Sequence, residues 1–85
     1  NPVENKVKIT NLPATCTVRI YTSDGGLVKK IIKDDESTEL TWNLKNNANV
    51  PIASGTYLIH VDGGALGEKV VKWMGVMREL DLDSF

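Results

Sequence analysis

Few residues of this chain are of the types that catalyse reactions. The only histidine, His60, lies in an apolar stretch, and no Ser or Cys lies at a spacing that indicates a nucleophile–base pair. An acidic run is formed by Asp34, Asp35 and Glu36, whereas glycoside chemistry needs carboxyl groups held across a cleft. We interpret the histidine as structural or exposed and the acidic run as a solvated loop. We therefore expect no catalytic residue and no enzyme activity.

Metal ligands and reactive thiols are equally scarce. Asp81 and Asp83 alternate near the C-terminus, but their segment lacks the glycine and the distal glutamate of a calcium-binding loop. The only cysteine, Cys16, cannot form an internal disulfide and belongs to no Cys/His cluster with metal-ligand spacing. Alternation along its segment places Cys16 on the same face as Val18 and Ile20, which predicts a buried apolar thiol. We expect no metal and no cofactor.

Composition narrows the class of partner. Of the 85 residues, 41% are hydrophobic and 25% are charged, as in an ordinary globular domain. The net charge is −1 with Lys and Glu interspersed, so neither nucleic acid nor an acidic membrane surface is indicated as a partner. No apolar run approaches the ~18 residues that span a bilayer, so we expect no membrane insertion. Because the chain begins with Asn1 rather than Met, we interpret it as one domain, residues 1–85, of a longer protein.

Short apolar segments must position these side chains. They are of strand length, are rich in β-branched and aromatic residues, and are separated by turn signals at intervals of about 8–12 residues. No helical period of ~3.6 residues competes with this pattern. Several segments alternate apolar and polar residues, as half-buried strands of two packed sheets do. The segments are VKIT, CTVRIYT, LVKKII, ELTWNL, GTYLIHV and EKVVKWMGVM. We predict an all-β fold, an immunoglobulin-like β-sandwich of six or seven antiparallel strands.

One turn and one edge are predicted with particular clarity. Asp24, Gly25 and Gly26 predict a tight hairpin, because consecutive glycines accept the positive φ that such a turn requires. Lys29 and Lys30 follow directly and indicate a strand near a sheet edge, where charge discourages pairing with another molecule.

Large aromatic side chains allow two interpretations. Trp42 and Trp73, if exposed together on one sheet, would stack on a sugar ring and make this a carbohydrate-binding module. A sandwich of this size needs bulky groups to fill its interior, however, so we favour packing in the core. The turn at Gly55 leads into a predicted strand at residues 56–61, which has apolar groups on both faces and carries Tyr57.

An ordered set of motifs resembles one known family. From about Val7 to Val76 the chain is similar to the C-terminal domains of secreted Bacteroidetes proteins, which share an immunoglobulin-like fold with a domain of the flagellar hook-capping protein. The resemblance implies a sorting signal that directs its protein through the type IX secretion system, by way of the periplasm, to the cell surface or the medium. The motifs are Ile20-Tyr21, Asp24-Gly25-Gly26-Leu27-Val28, Trp42-Asn43-Leu44, Val50-Pro51-Ile52-Ala53-Ser54-Gly55-Thr56-Tyr57-Leu58 and Glu68-Lys69-Val70-Val71-Lys72.

Two motifs of that family map onto named residues. Its glycine-x-tyrosine element falls on Gly55 and Tyr57, and its lysine-bearing last strand falls on Lys69 and Lys72. The resemblance implies that these four residues serve in recognition. It also implies that the partners are secretion or cell-surface machinery proteins and the upstream domains of the same chain, with the isolated domain monomeric.

The end of the chain keeps other functions open. Sorting domains of this family usually stop soon after the lysine strand, whereas residues 73–85 follow here. A structural or adhesive immunoglobulin-like module without an export role would look the same up to that point. Alternation of Leu80, Leu82 and Phe85 with acidic residues predicts that this extension packs or docks rather than extending freely into solvent.

Overall fold

The residues that the structure describes form seven strands in two sheets, together with one short 3₁₀ helix. The computed structural model describes residues 6–53, 55–74 and 79–82, and this part of the chain contains no α-helix. Strands β4, β1 and β7 form one sheet in that order, and β3, β2, β5 and β6 form the other. The bounds are β1 Val7–Thr10, β2 Thr15–Thr22, β3 Leu27–Asp34, β4 Leu40–Trp42, β5 Thr56–Asp62, β6 Glu68–Met74 and β7 Glu79–Asp81, with the 3₁₀ helix at Gly64–Leu66. The predicted all-β class is confirmed.

One strand pair departs from the antiparallel pattern. Strands β1 and β7 run parallel, with Lys8 opposite Glu79 and Thr10 opposite Asp81, whereas the other paired strands are antiparallel. A parallel pair cannot be joined by a hairpin, and here most of the domain lies between its two strands. Local sequence patterns carry no signal of such a distant pairing.

Alternating side chains of both sheets build the core. On β2 the buried residues are Cys16, Val18 and Ile20, and the residues between them are partly exposed. Cys16 is 4% exposed, which confirms the prediction of a buried thiol. The three-stranded sheet contributes the fully buried Val7 and Ile9 to the same cluster. The pattern is that of two half-buried sheets packed face to face.

The predicted hairpin joins β2 to β3. The Gly25 amide donates to the Thr22 carbonyl at 2.9 Å, and the Thr22 amide donates to the Gly26 carbonyl at 2.8 Å. Gly25 has φ +99°, a conformation that disfavours any side chain. The Asp24 carboxylate accepts a hydrogen bond from the Thr22 hydroxyl, which together with backbone donors lowers the pKa of Asp24. The turn is therefore set by local sequence.

A buried lysine ties two loops together at the end of β3. Lys33 is 2% exposed, and its ammonium group donates to the carbonyl oxygens of Pro13 at 3.0 Å and Ala14 at 3.1 Å. It also donates to the Ser37 carbonyl and pairs with the Asp35 carboxylate at 2.8 Å. The acidic run itself is exposed, as predicted. Its neighbour Lys33 instead faces inward, and these bonds satisfy its charge.

The two edges of the four-stranded sheet are covered differently. Strand β3 lies at one edge, as Lys29 and Lys30 predicted. There the Asn47 amide donates to the Val28 carbonyl at 3.0 Å, and the Asn47 side-chain oxygen accepts from the Lys30 amide at 3.2 Å. Strand β6 forms the opposite edge, with no further strand beside it among the described residues.

The C-terminal segment completes the three-stranded sheet. Strand β7 pairs with β1, and the side chain of Leu82 enters the core at 1% exposure. The Asn11 side-chain amide donates to the Leu82 carbonyl at 2.6 Å. The prediction that this extension packs is confirmed for Leu82, while Phe85 and Asp83 lie outside the described residues.

Candidate functional site

The surroundings of His60 do not indicate a catalytic site. His60 lies on β5 with its side chain 20% exposed, and its Nε2 is 2.9 Å from the Glu68 carboxylate on β6. The histidine therefore takes part in a cross-strand contact. Across residues 6–53, 55–74 and 79–82, no three His, Cys, Asp or Glu side chains are grouped so that they could hold a metal ion. The same residues include no helix that is long and apolar enough to cross a bilayer.

The cysteine is in an unreactive setting. Burial raises the pKa of the Cys16 thiol, an effect that the nearby Lys33 ammonium only partly offsets. Because the thiolate is the nucleophilic form, a raised pKa lowers reactivity at neutral pH. Cys16 is therefore a packing residue of the core.

Both tryptophans are inside the sandwich. Trp42 is 1% exposed and Trp73 is 0% exposed, so neither ring can stack on a sugar. The indole NH of Trp42 donates to the Lys45 carbonyl at 3.0 Å, which satisfies its polar atom. The interpretation as a carbohydrate-binding module through this pair is wrong, because the core takes both rings.

The glycine-x-tyrosine element shapes the start of β5. Gly55 has φ +152°, a conformation that L side chains rarely adopt. Tyr57 is 7% exposed, its hydroxyl donates to the Ala53 carbonyl at 2.5 Å, and its ring centroid lies 5.9 Å from that of Trp73. The element thus holds the loop before β5 against the core. Most of the Tyr57 side chain is withdrawn from solvent.

An open cleft lies beside this element. Its volume is about 480 Å³, and it is lined by residues of the β2–β3 hairpin and of the β4–β5 loop, including Leu27, Asn47, Ile52 and Tyr57. Asn47 links the two walls through its hydrogen bonds to β3. The lining mixes apolar side chains with the polar Thr22, Asn46 and Asn47, and among its described residues Tyr57 alone is titratable.

The two lysines of β6 point in opposite directions. They are three residues apart, so the strand's alternation places Lys69 on the partly buried side with Trp73 and Lys72 on the exposed side with Val70. Lys72 is opposite Leu58 and lies near the glycine-x-tyrosine element, whereas Lys69 is about 10 Å further along the strand. The structure therefore places Gly55, Tyr57 and Lys72 at one end of β5–β6 and separates Lys69 from them.

Sequence reasoning missed two residues that position this region. Lys33 fixes the loops at one end of the sandwich, and Asn47 covers the β3 edge at the cleft. A signal for Lys33 was present, because it follows Ile31 on the inward side of β3. Asn47 had none, since its partner strand lies 17 residues away.

Comparison with known proteins agrees with this geometry. A family model described as "Secretion system C-terminal sorting domain" matches residues 1–74. No curated protein matches the chain. Among solved structures, the chain resembles PorZ, described as an essential bacterial surface component of the type-IX secretion system of human oral-microbiomic Porphyromonas gingivalis, with a TM-score of 0.68 and 28% identity.

The extent of these matches decides what they show. The PorZ alignment covers 87% of this chain but only 10% of PorZ, so the likeness concerns one domain of a much longer protein. The family match covers most of this chain. A sorting domain is non-catalytic, and the protein that carries it is secreted or lies at the cell surface. The chain therefore belongs to the family of secretion system C-terminal sorting domains, the signals that type IX secretion recognises.

Proposed function

We propose that the secretion machinery recognises this domain as a folded surface centred on strand β6. The observation that carries the proposal is that β6 is the edge strand opposite to the one that Asn47 covers, and that it presents Lys69 and Lys72. An edge strand offers unpaired backbone groups to a partner. Its side chains then supply specificity on alternate faces.

The four predicted recognition residues divide into two roles under this proposal. Lys72 is exposed and contacts the partner directly, and the partly buried Lys69 contributes charge near the far end of the same strand. Gly55 and Tyr57 act indirectly, because they fix the start of β5, to which the end of β6 is paired.

The proposed route crosses the periplasm and the outer membrane. The domain is monomeric when isolated. During passage its partners are proteins of the secretion or cell-surface machinery, together with the upstream domains of its own chain. The net charge of −1 leaves no long-range attraction toward nucleic acid or an anionic membrane surface.

An export experiment tests this function. The 85 residues are fused behind a signal peptide and a fluorescent reporter in a bacterium that has the type IX system, and the reporter is followed in medium, cell surface and periplasm. We expect export that is lost when the system is disabled. We also expect a strong reduction for the Lys69→Ala, Lys72→Ala double variant, and normal export for the matched control Lys6→Ala, Lys8→Ala.

Two outcomes would contradict the proposal at different points. A reporter held in the periplasm with the domain folded would leave a structural or adhesive module without an export role. Full export of the Lys69→Ala, Lys72→Ala variant would retain the sorting role and exclude these lysines as its contact residues. Surface charges contribute little to stability, so we expect each variant to fold. Circular dichroism checks this.

A further inference from the structure

The outer face of the four-stranded sheet carries an unusual placement of charge. Alternation turns Arg19 of β2 away from the core, and the strand register sets it directly opposite Lys30 of β3. Like charges directly opposite on neighbouring strands destabilise a sheet. Lys72 of β6 adds a third cation to this face. Within the described part of the chain, none of these three outer cations forms an ion pair.

Apolar side chains lie between the outer cations. Tyr21 and Leu58 are neighbours on β2 and β5, and Leu58 is opposite Lys72. Val70 and Met74 on β6 are 59% and 53% exposed and face the same way. An exposed apolar surface mixed with charge in this manner is typical of a protein–protein interaction site.

The acidic residues of this face lie toward the end away from Tyr21 and Lys72, and each already has a partner. Glu68 lies 2.9 Å from His60, the Asp62 carboxylate accepts the Gly64 amide at 2.9 Å, and the Asp34 carboxylate accepts the Thr15 hydroxyl at 3.2 Å. A second copy packed face to face would have to break these contacts to neutralise the cations, which argues against that arrangement. A nucleic acid backbone would neutralise the cations but would leave the exposed Val70 and Met74 without apolar partners.

We propose that this outer face docks an acidic amphipathic protein segment. The carboxylates of the segment pair with Arg19, Lys30 and Lys72, and its apolar side chains pack on Tyr21, Leu58 and Val70. Binding relieves the repulsion between Arg19 and Lys30 that the free domain carries. The inference goes beyond the sorting role: it shares Lys72 with the β6 edge but rests on Arg19 and Lys30 on the outer face.

A titration of the ¹⁵N-labelled 85-residue chain tests the proposal. The probe is a short synthetic peptide in which glutamate and leucine alternate, and the control probe replaces glutamate by lysine. We expect saturable shifts of the amide signals of Arg19, Tyr21, Leu58 and Val70 with the acidic probe alone. Affinity should fall as salt is raised, because exposed charges are screened.

A matched pair of variants completes the test. Arg19→Gln with Lys30→Gln should weaken binding by about tenfold or more, whereas Lys6→Gln with Lys8→Gln removes the same charge near β1 and should leave binding unchanged. The Arg19→Gln, Lys30→Gln variant removes a repulsion, so its melting temperature should equal or exceed that of the parent. Weaker binding by this variant is then not a result of unfolding. Both pairs retain Lys69 and Lys72, so failure here is distinct from failure of the export experiment.

Four results would overturn the proposal. The first is the absence of shifts with the acidic peptide, and the second is binding that survives in the Arg19→Gln, Lys30→Gln variant. The third is binding to phosphatidylglycerol vesicles without binding to the peptide, which would indicate a lipid surface. The last is a set of shifts on this face that depends on protein concentration alone, which would indicate a second copy of the chain.

Discussion

The indole rings of Trp42 on β4 and Trp73 on β6 meet edge to face, with centroids 5.6 Å apart and planes at 63°. The two strands belong to different sheets, so this contact joins the halves of the sandwich. Tyr57 extends the cluster from β5, with its ring 5.9 Å from that of Trp73. The cluster thus connects the centre of the core to the glycine-x-tyrosine element.

Truncating Trp42 should remove much of the stability of the domain. We expect Trp42→Ala to lower the free energy of unfolding by about 3–5 kcal/mol, because it leaves a cavity where the ring was packed. Trp42→Phe, which keeps an aromatic ring, should cost less. Urea denaturation followed by circular dichroism measures both. A melting temperature for Trp42→Ala within about 2 °C of the parent would contradict the packing role.

Leu82 should matter for stability although it lies near the end of the chain. Its side chain is 1% exposed, so Leu82→Ala should cost about 2–5 kcal/mol of unfolding free energy. The matched control is Leu66→Ala, because Leu66 is 64% exposed and its truncation should change stability by less than about 0.5 kcal/mol. Equal effects of the two changes would show that β7 does not close the core in solution.

Replacing Lys33 should destabilise the domain through its carbonyl partners. Lys33→Met keeps most of the stem but leaves the carbonyls of Pro13 and Ala14 without this donor. The Ala14 carbonyl still accepts from the Asp35 amide at 3.0 Å, so the main loss is at the half-buried Pro13 carbonyl. One unsatisfied group of this kind costs about 1–3 kcal/mol. Lys30→Met on the same strand serves as the control, and its exposed side chain should contribute within about 0.5 kcal/mol. Thermal melts that rank the two variants alike would refute this role.

Stability should fall at acidic pH partly through Asp35. The hydrogen bond from Lys33, with further ones from Ser37, holds the pKa of this carboxyl below its ordinary value of 3.8. A lowered folded-state pKa contributes stability that is present above the unfolded value and is lost as the pH falls through the folded value. We therefore expect Asp35→Asn to flatten the pH dependence of stability below about pH 4. Unfolding midpoints that change with pH identically in both proteins would exclude this contribution.

Local patterns account for the parts of the fold that neighbouring residues control. Alternation along β2 identified Cys16, Val18 and Ile20 as inward-facing, because successive side chains of a strand point to opposite faces. The glycines of the β2–β3 hairpin predicted that turn through their own conformational freedom. The ordered set of motifs that includes Gly55 and Tyr57 likewise indicated the family, and the recognition role of these residues stays a prediction.

Only the tertiary structure decided how distant segments meet. The residues alone favoured core packing of Trp42 and Trp73 over stacking on a sugar, but the burial of both rings depended on how the two sheets pack. The parallel pairing of β7 with β1 and the position of Asn47 over the β3 edge likewise required contacts between segments far apart in sequence. Each depends on long-range contacts, whose geometry is set by packing the whole chain, whereas alternation and turn chemistry are local properties that the sequence carries by itself.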